Sequence, residues 1–212
     1  MDVDRLQDRL HWGLNRAANM MGRMTDAYRP IGVSDPLDRS NRYLQLRAAF
    51  SRADGNFGRA IGYGVAIWRG IFDASYTRVG DYLVQDHDIW FIAEQQCLLP
   101  ILCVRTNRVI SITRQITPST ETSPNTVNAN SMITVISQWP ASVLGTGAEG
   151  KSPTGLPGDT TIAKSIALVP SVHGQIVLPT DIVTDDLGIN SVVVAAELTS
   201  LGWRLIVRQV TT

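Results

Sequence analysis

The chain is poor in lysine, in cysteine and in charge. Lys151 and Lys164 are the only lysines among 19 positively charged residues, so arginine carries nearly all the positive charge. Charged residues make up 18% of the 212 positions and hydrophobic residues 44%. About 25% charge is usual for a soluble domain, so the charged share is low for a free monomer and suits a chain that hides surface against partners. A formal net charge of zero excludes a global basic field of the kind that holds nucleic acid. No apolar run approaches the roughly 20 residues that span a bilayer. The start, Met-Asp-Val-Asp, has no charged-then-apolar export pattern, which predicts a protein made in a cytoplasm and no membrane partner. Cys97 and Cys103 are the only cysteines. Along one straight strand they would lie about 20 Å apart, too far to bridge each other. Two buried thiols, or a disulfide to another subunit, are the readings that remain.

What is present is mostly short β pattern behind one helix. Residues 2–28 read as an amphipathic helix, with Val3, Leu6, Leu10, Ala17, Met20, Met21 and Met24 at helical spacing and Pro30 and Gly32 as the stop. Arg5, Arg9, Arg16 and Arg23 form a second stripe, either a solvated face or a contact with an acidic partner or DNA phosphate. Residues 31–41 read as a loop, 43–50 as a strand or short helix, and 54–64, which contains Gly55 and Gly58, as a mobile loop. From Val65 the pattern is β. Tyr82–Val84 and Ile89–Ile92 flank a hairpin turn, and Val109–Thr113 closes a first β unit. Residues 117–130 are almost free of apolar side chains and read as a linker. Beyond it, Met132–Ser137, Ile166–Val169, Gln175–Leu178, Thr180–Thr184, Ser191–Ala195 and Trp203–Val207 read as strands.

The expected fold is therefore α+β and mainly β. An N-terminal helix (1–30) precedes a first small antiparallel barrel or sandwich (31–116), the linker (117–130) and a second such unit (131–212). A faint internal repeat supports the two units. Gly80-Asp81 opens a hairpin that returns at Ile89–Ala93, followed by apolar strands ending at Arg114. Thr180-Asp181 opens another that returns at Val192–Ala196 and ends at Trp203–Arg208. Residues 1–117 hold 15 arginines against 12 acids, and residues 118–212 hold 4 basic residues against 7 acids. The opposite signs suit head-to-tail contacts between subunits.

Motifs for catalysis are weak. Gly145–Ser152 reads GTGAEGKS and matches the phosphate-binding loop pattern. That loop needs a helix behind it to aim backbone amides at phosphate. Here Pro153, Gly155, Pro157 and Gly158 follow and would break the helix. Residues 145–161 are expected to be a loop, with Lys151 an interface candidate. His11, His87 and His173 lack ligand-spaced neighbours, and Asp86-His87-Asp88 reads as a solvated turn before it reads as a metal grip. Trp68, Trp90, Trp139 and Trp203 lie in or beside strands and read as core before they read as a sugar-binding platform. No cofactor is expected, and the chain is read as not an enzyme.

Two stretches carry a family resemblance. One comprises Trp68–Asp73, Val79–Val84, Trp90–Ala93 and Leu98–Arg108; the other comprises Ser152–Asp159, Asp181–Gly188 and Glu197–Arg204. Together, over about half the chain, they resemble neck proteins of tailed bacteriophages, in the head–tail connector or stopper group. The resemblance implies a small β-barrel with long loops, assembled as a sixfold or twelvefold ring in the virion neck. Its neighbours would be portal or adaptor proteins and tail terminator or tube proteins, and the ring would continue the channel for packaged DNA. The helix and the second β unit exceed a simple stopper. Arg5, Arg9, Arg16, Arg23, Gly55, Gly58 and Lys151 are the candidate interface residues, and Cys97 and Cys103 the candidate intersubunit disulfide residues. The other readings are a different tail, collar or baseplate subunit, or a carbohydrate-binding β module.

Overall fold

A computed structural model describes residues 3–52, 65–115, 132–145, 164–171 and 174–210. Among these residues one α-helix, α1 (Val3–Met21), leads into twelve strands, with a short 3-10 turn at Arg39–Asn41. The strands are β1 (Arg23–Tyr28), β2 (Arg42–Arg52), β3 (Ile67–Ile71), β4 (Tyr82–Gln85), β5 (Asp88–Glu94), β6 (Ile101–Arg105), β7 (Arg108–Gln115), β8 (Met132–Gly145), β9 (Lys164–Val169), β10 (Ile182–Asp185), β11 (Asn190–Thr199) and β12 (Gly202–Gln209). The chain is mainly β with one N-terminal helix and two β units, as expected. Both units are closed antiparallel barrels, ordered β1-β2-β3-β6-β5-β4 and β7-β8-β9-β12-β11-β10.

Three expectations about segments change and one left open is settled. The helix stops at Met21, not near 28. Met24 and Asp26 alternate with the inward Thr25 and Ala27, so residues 23–28 follow a period of two and pair with β2 and β4. Gly22 permits the switch: a Cβ there would lie 2.5 Å from the Ala18 carbonyl oxygen and 2.9 Å from the Ala48 backbone. Second, β7 belongs to the second barrel, where it pairs with β8 and β10. The barrels therefore meet at Thr106-Asn107, and residues 117–130 connect two strands of one barrel instead of two domains. Third, residues 175–178 are not a strand. Fourth, residues 43–50 are strand, with Leu44, Leu46 and Ala48 inward. The structure of residues 54–64 and 117–130, and of most of 145–161, lies outside the described residues.

The faint repeat is a full one. Each pairing in the first barrel has its counterpart in the second: β1 corresponds to β7, β2 to β8, β3 to β9, β4 to β10, β5 to β11 and β6 to β12. Register carries this to single residues. Leu83 faces Trp90 as Val183 faces Ser191, and Ala27 faces Leu83 as Ile112 faces Val183. Arg29 thereby falls on Arg114 and Arg23 on Arg108.

Those arginines hold the same acids in both barrels. Arg29 makes a two-pronged contact with Asp81, Nε donating at 2.9 Å and Nη2 at 2.8 Å. Arg114 does the same to Asp181, at 2.8 and 2.9 Å. Each guanidinium also donates to a carbonyl five residues before its acid, that of Tyr76 or Ile176. Each carboxylate also accepts a backbone N–H three residues upstream, from Arg78 or Leu178, at 2.8 Å. In the first barrel Tyr43 adds a hydroxyl donor at 2.6 Å. The acids are 2% and 1% exposed. An uncompensated buried charge costs several kcal/mol, so these donors are what make burial tolerable. Each clamp ties the far end of the first strand to the turn before the fourth, where the barrel closes over only three or four paired residues.

The barrels share one core. Tyr82, Phe91, Ala93 and Val104 leave the first barrel to pack with Ile110, Trp139, Val183 and Leu205 of the second. The Tyr82 hydroxyl donates to the Pro140 carbonyl at 2.8 Å, and its ring stands edge-on to Trp139. The segment before β2 straps the second barrel: the Trp139 indole donates to the Ser34 carbonyl at 2.9 Å, and the Ser137 amide to the Val33 carbonyl at 2.7 Å. Trp139 is fully buried. At roughly 150–250 Å² and ~25 cal/mol per Å², its burial contributes about 4–6 kcal/mol before entropy, several times a single hydrogen bond.

Two substitutions at one turn are expected to move stability in opposite directions. Asp181→Ala removes the second clamp and lowers unfolding free energy by about 2–4 kcal/mol in urea titration. Thr180 holds φ at +78°, where its counterpart Gly80 sits at +92°. Thr180→Gly relieves a β-branched residue in the left-handed region and raises stability by about 1 kcal/mol. A neutral Asp181→Ala contradicts the clamp's importance.

Candidate assembly interface

Helix α1 is attached to the first barrel by a polar and small-residue face. Gln7 accepts the Leu98 amide at 2.9 Å and the Cys97 thiol at 3.2 Å, and hydrogen-bonds His11 at 2.6 Å. His11 meets the Ser75 hydroxyl at 3.3 Å. Leu14 packs on the core of the first barrel, and Ala18 is the one buried residue of the helix. The face in contact is thus Gln7, His11, Leu14 and Ala18, at helical spacing. The apolar stripe is only partly covered: Val3, Met20 and Met21 are exposed, and Leu6, Leu10 and Ala17 are half-buried.

Arg5, Arg9 and Arg16 are exposed, and their spacing puts them nearly opposite the packed face. Trp12 shares their side and is 65% exposed, the one tryptophan of the five on the surface. The Arg16 guanidinium stands 5.6 Å from its ring. Arg23 does not extend this stripe, because it lies on β1 and pairs with Asp86 at 3.2 Å. Its counterpart Arg108 pairs with Asp186 at 3.6 Å. Gly55, Gly58, Lys151 and His173 lie outside the described residues, as does nearly all of the phosphate-loop pattern.

The cysteines separate. Cys97 is exposed in the turn before β6, and Cys103 is fully buried inside the first barrel. Burial pushes the Cys103 thiol well above its ordinary pKa, which keeps it protonated. Cys103 is therefore removed as an intersubunit disulfide residue, and Cys97 remains accessible for one.

The Asp86-His87-Asp88 turn is solvated, and its acids are engaged by Arg23 and by Arg105, at 2.5 Å. No cluster of three or more His, Cys, Asp and Glu side chains among the described residues is arranged for a metal ion. No helix among them is long and apolar enough to cross a membrane. Trp90 and Trp139 are core, and Trp68 and Trp203 are half-buried beside it. They form no exposed platform.

The two barrels differ most at one end. In the first, Phe50 stacks on Trp90 with ring centres 4.2 Å apart, and Trp68 meets Trp90 edge-on at 5.2 Å. Register places Val143, Ser191 and Ser165 at the corresponding positions of the second barrel. Three aromatics are replaced by one valine and two serines. A cavity of about 260 Å³ results, lined by those three residues with Arg108, Val183, Asp185 and their neighbours. The sequence carried this signal only in register, which no local pattern shows.

No family model, curated protein or solved structure matches the chain.

The thiol assignment has a direct check. A thiol-reactive chromogenic disulfide should modify one cysteine per native chain and two after denaturation. Two rapid equivalents in the native protein contradict the burial of Cys103.

Proposed function

We propose that the chain is a self-associating structural subunit of the neck of a tailed bacteriophage, forming a ring between portal and tail. The observation that carries self-association is the helix α1 surface. It presents Trp12 and Met20 to solvent on the side of the three arginines, and Val3 and Met21 are exposed elsewhere on the helix. Aromatic, methionine and arginine side chains are the ones enriched in interface centres. Closed barrels suit such a part, because they offer no long free strand edge for uncontrolled sheet growth. The neck itself rests on the resemblance described above. The packaged-DNA channel and the portal, adaptor, terminator and tube neighbours come with it. Another tail or collar subunit would use the same surfaces, and location in a particle separates the two.

Sedimentation of the purified chain should reveal a discrete oligomer that grows in with concentration, and reductant should leave it intact. Removing residues 2–21 should give a folded monomer with an unchanged β-type circular dichroism spectrum. Unaltered assembly after that deletion contradicts the role of the helix.

A further inference from the structure

The exposed tryptophan and the cavity have complementary shapes. Trp12 projects from a helix seated on the first barrel and is 65% exposed, with the Arg16 guanidinium over its ring. The cavity opens at the end of the second barrel where the first barrel houses Trp90, Trp68 and Phe50. An apolar cavity of about 150 Å³ already admits benzene. At about 260 Å³ this one has room for an indole. Its two serine hydroxyls, Ser165 and Ser191, offer acceptors for an indole N–H, which a buried tryptophan usually finds.

Charge agrees with shape. Trp12 is flanked by Arg9 and Arg16 at one helical turn on either side. The cavity lies beside Asp185 and the hairpin acid Asp186. Among the described residues Asp186 meets Arg108 at 3.6 Å, and both side chains are a third or more exposed. Such a contact contributes little and is readily exchanged.

We propose that Trp12 of one copy inserts into the open end of the second barrel of the next copy. There it takes the space that Trp90 and its neighbours fill in the first barrel. The inference rests on the self-association argued above and names its contact. Knob and hole are on different surfaces of one chain, so the contact is head-to-tail. A contact of that kind propagates from copy to copy and closes into a ring when its rotation permits. The second barrel of each chain is thus completed by its neighbour, and the first barrel completes itself.

The test uses two full-length variants, each removing one half of the contact. Trp12→Ala removes an exposed side chain, and Ser191→Trp refills the hole in the manner of Trp90. Val143→Phe, after Phe50, is the second filling variant should Ser191→Trp fold poorly, and circular dichroism establishes folding for each. By sedimentation velocity, each variant alone should self-associate roughly 30-fold or more weakly than the original chain, as for a central interface tryptophan. Mixed one to one, they should form a heterodimer and nothing larger. The Trp12 of the filled variant still has a hole to enter, and no further contact is left. Millimolar indole should dissociate the original assembly. If the original chain assembles and Trp12→Ala assembles equally well, the docking contact is wrong and the ring reading stands. If the original chain stays monomeric at every concentration, both fall.

Discussion

Closure of each barrel depends on a buried carboxylate gripped by an arginine from the first strand. Without it, β1 and β4, or β7 and β10, meet over three or four residue pairs, too few to hold a seam against fraying. The clamp spans 52 residues in the first barrel and 67 in the second, joining the strand that opens a barrel to the turn that leads into its fourth strand. Asp81 and Asp181 accept both prongs and a local amide, so the charge is buried with its lone pairs occupied. Burial of the pair is not by itself a gain in stability, since desolvation offsets attraction. Its contribution is register: a two-pronged fork fits one alignment of the two strands and no other. The same device stands in the same place in both barrels.

Much of this was legible in the chain and some was not. The hairpins at Gln85–Asp88 and around Asp185 follow period-two alternation around polar turns, and the Gly80-Asp81 and Thr180-Asp181 openings exposed the repeat. The arginine partners were hidden because Arg29 and Arg114 are distant in sequence from the acids they hold. Helix α1 looked longer because Met24 continues its apolar spacing, yet Gly22 and the alternation of Thr25 and Ala27 turn the chain into a strand. The apolar stripe of the helix misled as to which face packs: Gln7 and His11 are polar, and they anchor the helix through hydrogen bonds that hydrophobic periodicity cannot reveal. The polar segment 117–130 suggested a domain boundary because composition marks loops, not which strands a loop connects.

Two barrels of one topology but different contents give the chain its asymmetry. The first barrel is filled at one end by three packed aromatics, Phe50, Trp68 and Trp90, and carries a helix on its side. The second keeps the topology, loses the aromatics and is left open. A chain with one finished barrel and one unfinished one has directional surfaces, as head-to-tail assembly requires. Low charge is consistent with surfaces that meet in an assembly instead of facing water.

The most direct measurement is electron microscopy of the concentrated chain, with class averages of the assembled species. The account predicts closed rings with a central channel, in which the number of barrel-sized densities is twice the number of chains. Open filaments, irregular clusters or single particles at every concentration would contradict it.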